Sequence, residues 1–339
     1  MWLDIALTSR CPLRCRYCSV EKDTGLELTA GQWIEVVKSF AALRPIALIS
    51  LEGGEPFLRK DLPEILTVCL EVAGSVKVVT SGFLPLEFIP TQLLRDPRFI
   101  LELSLDGPAE IQNFLRDESW NRSWDFLKAG LEKKIPMRLR SVISRYNVSI
   151  FPDWLMRLDR MLGPFGQRVG LCYDTILAPE ALAGEGGEVP RAPLRYYSTQ
   201  GLLPSPAEMW NLYMDLRSRR LSHVSLLQTE PIRGCGAAER SVISFDPSGI
   251  FSFCCESPGG RGSILKQTAA ECLFLLESAM MERPCRGCPF LGMELCRGCL
   301  TGQKCGMVKY WGAEDCRSLY RSMISSVPSM KPEKVSIRL

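Results

Sequence analysis

Three cysteines near the start of the chain have the spacing expected of a metal-binding loop. Cys11, Cys15 and Cys18 form the pattern C-x3-C-x2-C directly after a short apolar stretch. Thiolates this close in sequence can converge on one face of an iron–sulfur cube, which leaves the fourth iron with an open coordination position. A catalytic metal site requires such an open position. The three residues alone also allow a zinc site with a distant fourth ligand.

Most of the other cysteines are concentrated in the last third of the chain. Of 15 cysteines in total, Cys69, Cys172 and Cys272 lie in apolar stretches and are predicted to be core residues. The remaining nine are Cys235, Cys254, Cys255, Cys285, Cys288, Cys296, Cys299, Cys305 and Cys316. Many clustered thiols in a chain of this length indicate metal–thiolate chemistry rather than a disulfide scaffold.

These nine cysteines form two sets of four when the adjacent Cys254 and Cys255 are counted once. Neighbouring side chains in extended backbone point in opposite directions, so only one of this pair is expected to bind a given cluster. The spacings predict two metal sites, formed by Cys235, Cys254, Cys285 and Cys288 and by Cys296, Cys299, Cys305 and Cys316. Two structural zinc sites are the alternative, because thiolate-only sites suit both metals.

Polar motifs follow three of the predicted strands. They are Glu52-Gly53-Gly54-Glu55-Pro56, Thr80-Ser81-Gly82 and Ser104-Leu105-Asp106-Gly107-Pro108. Paired glycines allow backbone to approach a ligand closely, and exposed amides and carbonyls can bind its amino or carboxylate group. Each motif alone is also typical of an ordinary turn. Together with the cysteines they place functional groups after four successive strands.

The segments that position these groups alternate between strand-like and helix-like patterns. Predicted strands cover residues 3–7, 46–51, 76–80, 100–105, 137–143 and 169–173. Predicted helices begin after Thr29 and cover about 63–72, 109–131, 152–161 and 207–221. Six strand–helix repeats predict parallel strands joined by right-handed crossovers. Because six repeats are too few to close an eight-stranded barrel, the expected α/β fold is an open, partial (β/α)6 barrel of the TIM type.

The composition changes along the chain predict two domains. Residues 1–225 are assigned to the partial barrel, and residues 226–339 to a small, cysteine-rich iron–sulfur domain of loops, short helices and a β-hairpin. Strands 241–245 and 250–253 of that hairpin deliver Cys254. Residues 179–206 are rich in Gly and Pro and are predicted to be a linker or mobile loop.

The overall composition excludes several classes of protein. Apolar residues make up 46% and charged residues 23%, which is typical of a globular chain. A net charge of +3 is too small to indicate nucleic acid as the main partner. The single histidine, His223, argues against histidine-based acid–base chemistry and receives no role. No apolar run of about 18 residues and no secretory signal are present, so no membrane association and a cytoplasmic location are expected.

The N-terminal motifs resemble a known family. Cys11-Pro-Leu-Arg-Cys15-Arg-Tyr17-Cys18 is similar to the signature loop of the radical S-adenosylmethionine (SAM) superfamily, and Gly53-Gly54-Glu55-Pro56 to its methionine-binding turn. The motif at residues 104–108 resembles that of the subgroup with a SPASM extension. The likeness covers roughly residues 2–176. One departure weakens transfer of the subgroup's sulfatase substrates: Gln112-Asn113 stand where that subgroup has a His-Asp pair.

This resemblance implies a cofactor site. A [4Fe–4S] cluster would be held by the three N-terminal cysteines, with SAM on the fourth iron. Tyr17 would lie beside the adenine, and the methionyl amino group would be bound by Gly53, Gly54 and Glu55. Further candidates for the cofactor site, near the ribose or the carboxylate, are Ser81, Ser104, Asp106 and Arg140.

The C-terminal cysteines resemble a SPASM domain, which implies two auxiliary [4Fe–4S] clusters. The match is incomplete, because the family's run C-x2-C-x5-C-x3-C would place its last cysteine at Lys309. Cys285 and Cys288 would then complete the first cluster, as in the shorter twitch variant. Cys255 is either a bystander or, as in related epimerases, the thiol that returns a hydrogen atom to a substrate radical.

The resemblance also implies a reaction. Reductive cleavage of SAM would give a 5′-deoxyadenosyl radical that removes hydrogen from a C–H bond, with electrons from a donor such as flavodoxin or ferredoxin. The expected substrate is a peptide or protein that is crosslinked, oxidised or epimerised. The alternatives are a small molecule such as a sugar or aminocyclitol, a tetrapyrrole side chain, or a non-catalytic electron carrier. No winged-helix domain for binding a leader peptide is expected before the first strand, which favours the small-molecule alternative unless a separate protein recognises the peptide.

Overall fold

The computed structural model describes residues 1–18, 20, 22, 25–175, 202, 204–227, 241–253 and 260–281. The nine C-terminal cysteines, including Cys255 and the eight predicted auxiliary ligands, lie outside the described residues. Nearly all of the predicted linker at 179–206 also lies outside them. Within the described part of the chain, no helix is long and apolar enough to cross a bilayer.

Ten strands of the described chain form one sheet. They are β1 (Trp2–Thr8), β2 (Leu48–Gly53), β3 (Val76–Thr80), β4 (Phe99–Ser104), β5 (Met137–Ile143), β6 (Val169–Thr175), β7 (Val224–Leu226), β8 (Val242–Phe245), β9 (Ile250–Ser252) and β10 (Gly262–Ser263). Their order is β10-β9-β8-β1-β2-β3-β4-β5-β6-β7. The pairings from β8 to β7 are parallel, and β9 and β10 add antiparallel strands beyond β8.

Helices connect the parallel strands and cover one face of the sheet. They are α1 (Ala30–Leu43), α2 (Leu62–Val72), α3 (Thr91–Leu94), α4 (Ala109–Leu115), α5 (Trp120–Glu132), α6 (Phe151–Leu162), α7 (Pro206–Ser218) and α8 (Ala269–Met281). The predicted start of α1 is confirmed, because Thr29 and Gln32 form a reciprocal capping box. The order of strands and helices confirms the predicted α/β class.

The two faces of the sheet differ in chemistry because side chains alternate along each strand. Leu3, Ile5 and Leu7 of β1 are fully buried in the apolar core that the helices share. The opposite face of the central strands carries charged side chains, among them Lys77 on β3 and Glu102 on β4. The concave side of the partial barrel is therefore polar.

Two features of the fold differ from prediction. The parallel run has eight strands rather than six, because the three-residue β7 and the first hairpin strand β8 join its two edges. The predicted hairpin exists, and its first strand, β8, pairs with β1. The predicted helix over 109–131 is wrong: it is broken into α4 and α5, and Asp117 and Glu118 between them have φ of 56°.

Candidate iron–sulfur and cofactor site

The three N-terminal cysteines lie on a loop at the carboxyl edge of the sheet. We call residues 9–18, which directly follow β1, the cysteine loop. The carboxyl edge of parallel strands is where open α/β sheets place their ligand sites. The motifs after β2, β3 and β4 end at the same edge, as predicted.

The three thiols are close enough to interact electrostatically. The pKa of Cys15 is raised to about 12, mainly by burial, with smaller contributions from the neighbouring Cys18 and Cys11 and an opposing effect of Arg116. Burial also raises the pKa of Cys11. Burial lowers the pKa of Lys22, but the nearby thiols, Cys18 first, more than offset this and the net shift is upward. Lys22 therefore brings a cation to this group of sulfurs.

The thiol-only donor set suits an iron–sulfur cube. Thiolates of a cube bind different irons and so lie farther apart than thiolates that share one zinc ion. Three neighbouring thiols on one short loop can hold three irons of a cluster and leave the fourth open.

The glycine turn after β2 packs directly against the backbone of the cysteine loop. The Gly54 amide donates to the carbonyl of Thr8 at 2.7 Å, and the Glu55 amide donates to that of Arg10 at 2.8 Å. A β carbon at Gly54 would lie 2.1 Å from the Arg10 carbonyl oxygen, and one at Gly53 would lie 2.5 Å from that of Thr8. Gly53 also has φ of 119°. Only glycine allows this approach, which joins the predicted methionine-binding turn to the predicted cluster loop.

Glu55 points its carboxylate into the protein. It accepts hydrogen bonds from the Thr80 hydroxyl at 2.8 Å, from the Ser81 amide at 2.9 Å and from the Ser81 hydroxyl, and it is fully buried. Burial raises the pKa of Glu55, and these hydrogen bonds oppose the shift. The Glu55 side chain therefore connects the end of β2 to the end of β3. Ser81 takes part in this connection as a hydrogen-bond donor.

Tyr17, Asp106 and Arg116 form a buried group that we call the rim cluster. The Tyr17 hydroxyl and the Arg116 Nε both donate to Oδ2 of Asp106, the latter at 2.7 Å. Oδ1 accepts from the Val142 amide at 2.8 Å and from Arg116 Nη2 at 3.3 Å. Asp106 has no exposed surface, and Arg116 is 8% exposed. Four donors from three parts of the chain therefore converge on one carboxylate.

The predicted contact between the Asp106 carboxylate and the ribose or carboxylate of SAM stays a prediction. The carboxylate is buried and already has four protein donors, so that contact requires exchange of a donor. In this geometry Asp106 supports the cysteine loop through Tyr17. Burial and the neighbouring Asp106 raise the pKa of Tyr17 well above its ordinary value, so its hydroxyl stays protonated and donates.

The segment around the break between α4 and α5 also makes hydrogen bonds to the cysteine loop. The Arg16 amide donates to the Leu115 carbonyl at 2.9 Å, and Arg16 Nε donates to the Phe114 carbonyl at 2.7 Å. These are carbonyls of the last turn of α4, which lack partners inside the helix. The Asp117 carboxylate accepts from the Arg14 amide at 3.0 Å. The cysteine loop thus caps α4, and the segment that breaks the predicted helix holds the loop.

A second charged group, the interior cluster, crosses the concave face from β3 to β6. It comprises Lys77, Glu102, Arg140 and Asp174. Glu102 accepts from Lys77 at 3.2 Å and from Arg140 at 3.1 Å, and Arg140 pairs with Asp174 at 2.5 Å. Burial opposes ionisation of Glu102, but the two cations lower its pKa to about 2.

The predicted cofactor residues thus divide by position. Gly53, Gly54 and Tyr17 lie in or against the cysteine loop, whereas Arg140 lies in the interior cluster with both terminal nitrogens on carboxylates. The Arg140 side chain is 26% exposed, so the predicted contact with the SAM carboxylate stays a prediction that requires exchange of a partner. Ser104, at the end of β4, is 7% exposed.

Sequence reasoning missed the part played by Arg116 and Asp117. The only available signal was an Asp-Glu-Ser sequence inside an otherwise helical pattern, since Asp tolerates left-handed backbone and Ser can begin a helix. His223, which received no role, directly precedes β7. Its backbone amide donates to the Asp159 carboxylate at 2.7 Å.

Comparison with known proteins shows what the chain is similar to. A family model described as the radical SAM superfamily matches residues 5–148, which include the cysteine loop and the rim cluster. A PqqA peptide cyclase of Granulibacter bethesdensis is 32% identical over 167 residues, which are 48% of this chain and 44% of that relative. A PqqA peptide cyclase of Bradyrhizobium diazoefficiens is 28% identical over 158 residues, 44% of this chain and 40% of the relative. The matched region spans less than half the length of these curated relatives.

Solved structures show the same fold. Streptococcus suis SuiB bound to S-adenosylmethionine superposes with a TM-score of 0.63 at 15% identity, over 88% of this chain and 72% of that one. AnSMEcpe with bound AdoMet and Cp18Cys peptide gives 0.62 at 18% identity, over 96% of both chains. The region similar to the radical SAM superfamily is thus residues 5–148 of the chain.

Proposed function

We propose that the protein is a radical SAM enzyme that modifies a C–H bond of a peptide substrate. The superfamily uses a [4Fe–4S] cluster and SAM, and the observation that carries the assignment here is the junction of the cysteine loop with the Gly53–Gly54 turn. The matched curated relatives are named PqqA peptide cyclases. Two of the similar structures hold peptides, the precursor peptide SuiA in one and a Cp18Cys peptide in the other. These names favour a peptide over a small molecule.

The cluster and SAM supply the chemistry, and the chain supplies their placement. When bound, the cluster provides the electron for reductive cleavage of SAM, and the nucleoside fragment provides the oxidising power to remove hydrogen from carbon. Cys11, Cys15 and Cys18 would hold three irons. In the turn beside them, the amides of Gly54 and Glu55 are already used by Thr8 and Arg10. The Glu55 carbonyl accepts from the Leu58 amide at 3.0 Å, so the Gly53 and Gly54 carbonyls would accept from the ammonium of SAM.

The concave face of the sheet would hold the peptide. Its charged side chains lie between β3 and β6, next to the edge where the cysteine loop stands. A closed, water-poor site protects a reactive intermediate and orients the C–H bond to be cleaved. Crosslinking, as the names of the curated relatives suggest, is the modification we favour over oxidation or epimerisation.

The auxiliary clusters remain part of this proposal. Eight cysteines beyond residue 226 are predicted to hold two further [4Fe–4S] clusters, with Cys255 as either a bystander or a hydrogen donor. Such clusters would accept the electron that a net oxidative crosslink releases. A low-potential one-electron carrier such as flavodoxin or ferredoxin is the proposed electron donor.

The first test measures SAM cleavage by the full chain. After anaerobic reconstitution with iron and sulfide, dithionite-reduced wild-type protein should convert SAM to 5′-deoxyadenosine. Cys15→Ala should lose that activity and about four irons per chain, the content of one cube. About twelve irons in the wild type would support all three clusters, whereas zinc in the cysteine loop would overturn the proposal.

The second test identifies the substrate class. Short peptides encoded beside this gene are synthesised with deuterium at the α or β carbons and incubated with enzyme, SAM and dithionite. Deuterium in 5′-deoxyadenosine together with a peptide lighter by two hydrogens supports crosslinking. Deuterium transfer from candidate sugars or aminocyclitols, with none from any peptide, would favour the small-molecule alternative instead.

A further inference from the structure

We propose that Arg59 is a positioning residue that clamps both ends of the segment carrying the cysteine loop, and so sets where the loop stands against the Gly53–Gly54 turn. The inference rests on the proposed function, because it concerns the residues that would hold the cluster and SAM. Arg59 lies shortly after that turn in the sequence and shortly before α2. One short stretch of chain would thus form the turn and fix the loop beside it.

The Arg59 guanidinium joins the entry to this segment with its exit. One terminal nitrogen, Nη1, donates to the Leu7 carbonyl and to the Leu28 carbonyl, both at 2.9 Å. Leu7 lies in β1, two residues before the cysteine loop, and Leu28 lies two residues before α1. The chain between them therefore leaves the sheet and returns to it at a single side chain. Joining the ends of a long loop reduces the conformations that the loop can adopt.

The end of β1 is built for a contact from outside the sheet. The parallel register of β1 and β2 shifts between Ala6 and Thr8, so that Leu7 is passed over. On the other side, the register with β8 ends at Ile5. Such irregularities are common next to active sites. Leu7 is fully buried, and Arg59 supplies a donor to its carbonyl where the regular ladders stop.

The environment of Arg59 holds its guanidinium in one orientation. Arg59 is 5% exposed, and the Asp61 carboxylate accepts from its Nε at 2.9 Å and from its Nη2 at 2.6 Å. This two-point pairing fixes the plane of the guanidinium and balances its charge. Nη1 is thereby directed at the two carbonyls.

Glu27 connects the same two ends a second time. It accepts from the Thr8 hydroxyl at 2.6 Å and from the Ser9 amide at 3.0 Å. Glu27 belongs to the clamped segment itself, whereas Arg59 comes from the chain that follows the glycine turn. Arg59 therefore also holds the segment against the turn.

Leu28 extends the clamp to the hairpin of β8 and β9. Its amide donates to the Pro247 carbonyl at 2.8 Å, in the turn between these two strands. Leu28 is thus held through its carbonyl by Arg59 and through its amide by the hairpin. If Arg59 is lost, the Leu28 amide should open more often together with the cysteine loop.

A role in fold stability alone would predict a different pattern. In that case loss of Arg59 would lower the free energy of unfolding, but folded molecules would keep a wild-type loop and a wild-type response to SAM. A positioning role predicts a loop that opens more often in folded protein and binds SAM more weakly.

The experiment combines hydrogen exchange of full-length apoprotein with SAM titration of reconstituted protein. In Arg59→Gln, amides of residues 9–18 and of Leu28 should exchange about tenfold faster than in wild type, because hydrogen bonds from a charged donor are lost. The SAM concentration that gives half of the change in the EPR signal should rise about tenfold as well. Arg59→Lys should fall between the two, because an ammonium can donate to both carbonyls but cannot pair with Asp61 at two points.

Asp159→Ala is the matched control for stability. The Asp159 carboxylate accepts from the amides of Ser222, His223 and Val224 at 2.7 to 3.1 Å, beside β7. Strand β7 lies six strands away from β1 in the sheet. This variant should unfold more easily and exchange faster around β7, with the cysteine loop and the SAM titration unchanged.

Each outcome decides the inference. Wild-type exchange of residues 9–18 in Arg59→Gln overturns it, and so does an Asp159→Ala variant that matches Arg59→Gln in both measurements. If Arg59→Gln does not fold, an Arg59→Lys variant with wild-type exchange and SAM titration overturns it equally. Reconstituted wild type that ignores SAM would overturn the proposed function, whereas exchange of the apoprotein still tests the clamp by itself.

Discussion

The rim cluster and the interior cluster both bury charged side chains, but they pair the charges differently. In the rim cluster one arginine meets one carboxylate, every acceptor site of Asp106 is used, and none of its surface reaches solvent. In the interior cluster Glu102 is shared by two cations, and Arg140 and Asp174 keep 26% and 15% of their side chains exposed. The fully buried pair of the rim cluster is suited to supporting a loop. The partly exposed interior cluster is suited to exchanging a partner for a ligand.

This difference between the two clusters predicts which substitutions affect the cofactor site and which affect the stability of the fold. The rim cluster and the glycine turn both contact the cysteine loop, so changes there should act on the cluster. The interior cluster ties four strands together, so changes there should act first on folding.

Gly54→Ala should abolish the reaction. Its β carbon would lie 2.1 Å from the Arg10 carbonyl oxygen, a backbone atom, so the cysteine loop must shift. A displacement of about 1 Å typically costs about a hundredfold in rate, so SAM cleavage should fall at least that far. The measurement is 5′-deoxyadenosine formation by reconstituted protein.

Gly31→Ala is the control for that glycine. Apart from its chain neighbours and the backbone of α1 itself, no atom lies within 4 Å of the position of its β carbon. Alanine should stabilise the helix by about 0.5–1 kcal/mol and leave SAM cleavage unchanged. Equal activity of both variants would show that the contact with Arg10 does not matter.

Glu102→Gln should destabilise the fold more than it affects the cluster. It leaves Lys77 and Arg140 without their shared carboxylate, and removing one member of a buried ion pair costs about 3–5 kcal/mol. Chemical denaturation of apoprotein should show this loss, with iron uptake by the folded fraction preserved. A variant as stable as wild type that fails to take up iron would show that the interior cluster acts on the cofactor site rather than on the fold.

The same carboxylate predicts a pH dependence. The pKa of Glu102 falls from 4.5 to about 2 on folding, so its contribution to stability is complete above about pH 4.5 and is lost as the pH falls through about 2. Wild-type stability should therefore drop more steeply over that interval than that of Glu102→Gln. Parallel acid profiles would contradict the ionised state assigned to Glu102.

Glu55→Gln should have an intermediate effect. The amide nitrogen that replaces one carboxylate oxygen cannot accept from the Thr80 hydroxyl or from the Ser81 amide and hydroxyl. An unsatisfied buried donor costs about 1–3 kcal/mol. Thermal unfolding checks the stability, and we expect weaker SAM binding because the turn is no longer tied to β3. Thr67→Val, at a hydroxyl exposed on α2, is the control.

Asp117→Asn should have the smallest effect, below about 0.5 kcal/mol. Asparagine tolerates φ of 56° and its carbonyl can accept from the Arg14 amide. Asp117→Ala loses that hydrogen bond and pays about 1–2 kcal/mol for left-handed backbone. The difference between the two variants in denaturant unfolding measures how much this segment stabilises the cysteine loop. Equal stabilities would show that it does not stabilise the loop.

Local patterns predicted most of the fold and much of the site. The cysteine spacing, the two glycines after β2 and the six long strands are readable because ligand spacing, backbone freedom and side-chain alternation are local properties. β7 was missed because three residues carry too little pattern. The pairing of β8 with β1 was missed because it joins positions about 240 residues apart, which no local pattern encodes.

The rim cluster shows why the remainder could not be predicted. The sequence marks Asp106 as a polar residue after a strand, but its burial depends on Tyr17 and Arg116 arriving from separate segments. The break after α4 contains neither glycine nor proline, so helical propensity continues through it. Contacts with the cysteine loop, rather than local preference, stabilise its left-handed residues.

The most direct test of the cluster site is the EPR spectrum of the anaerobically reconstituted, dithionite-reduced full-length protein with and without SAM. We expect SAM to change the signal of one cluster in the wild type. We also expect Cys11→Ala, Cys15→Ala and Cys18→Ala each to remove that response. A spectrum indifferent to SAM, or a response that survives loss of these thiols, would contradict it.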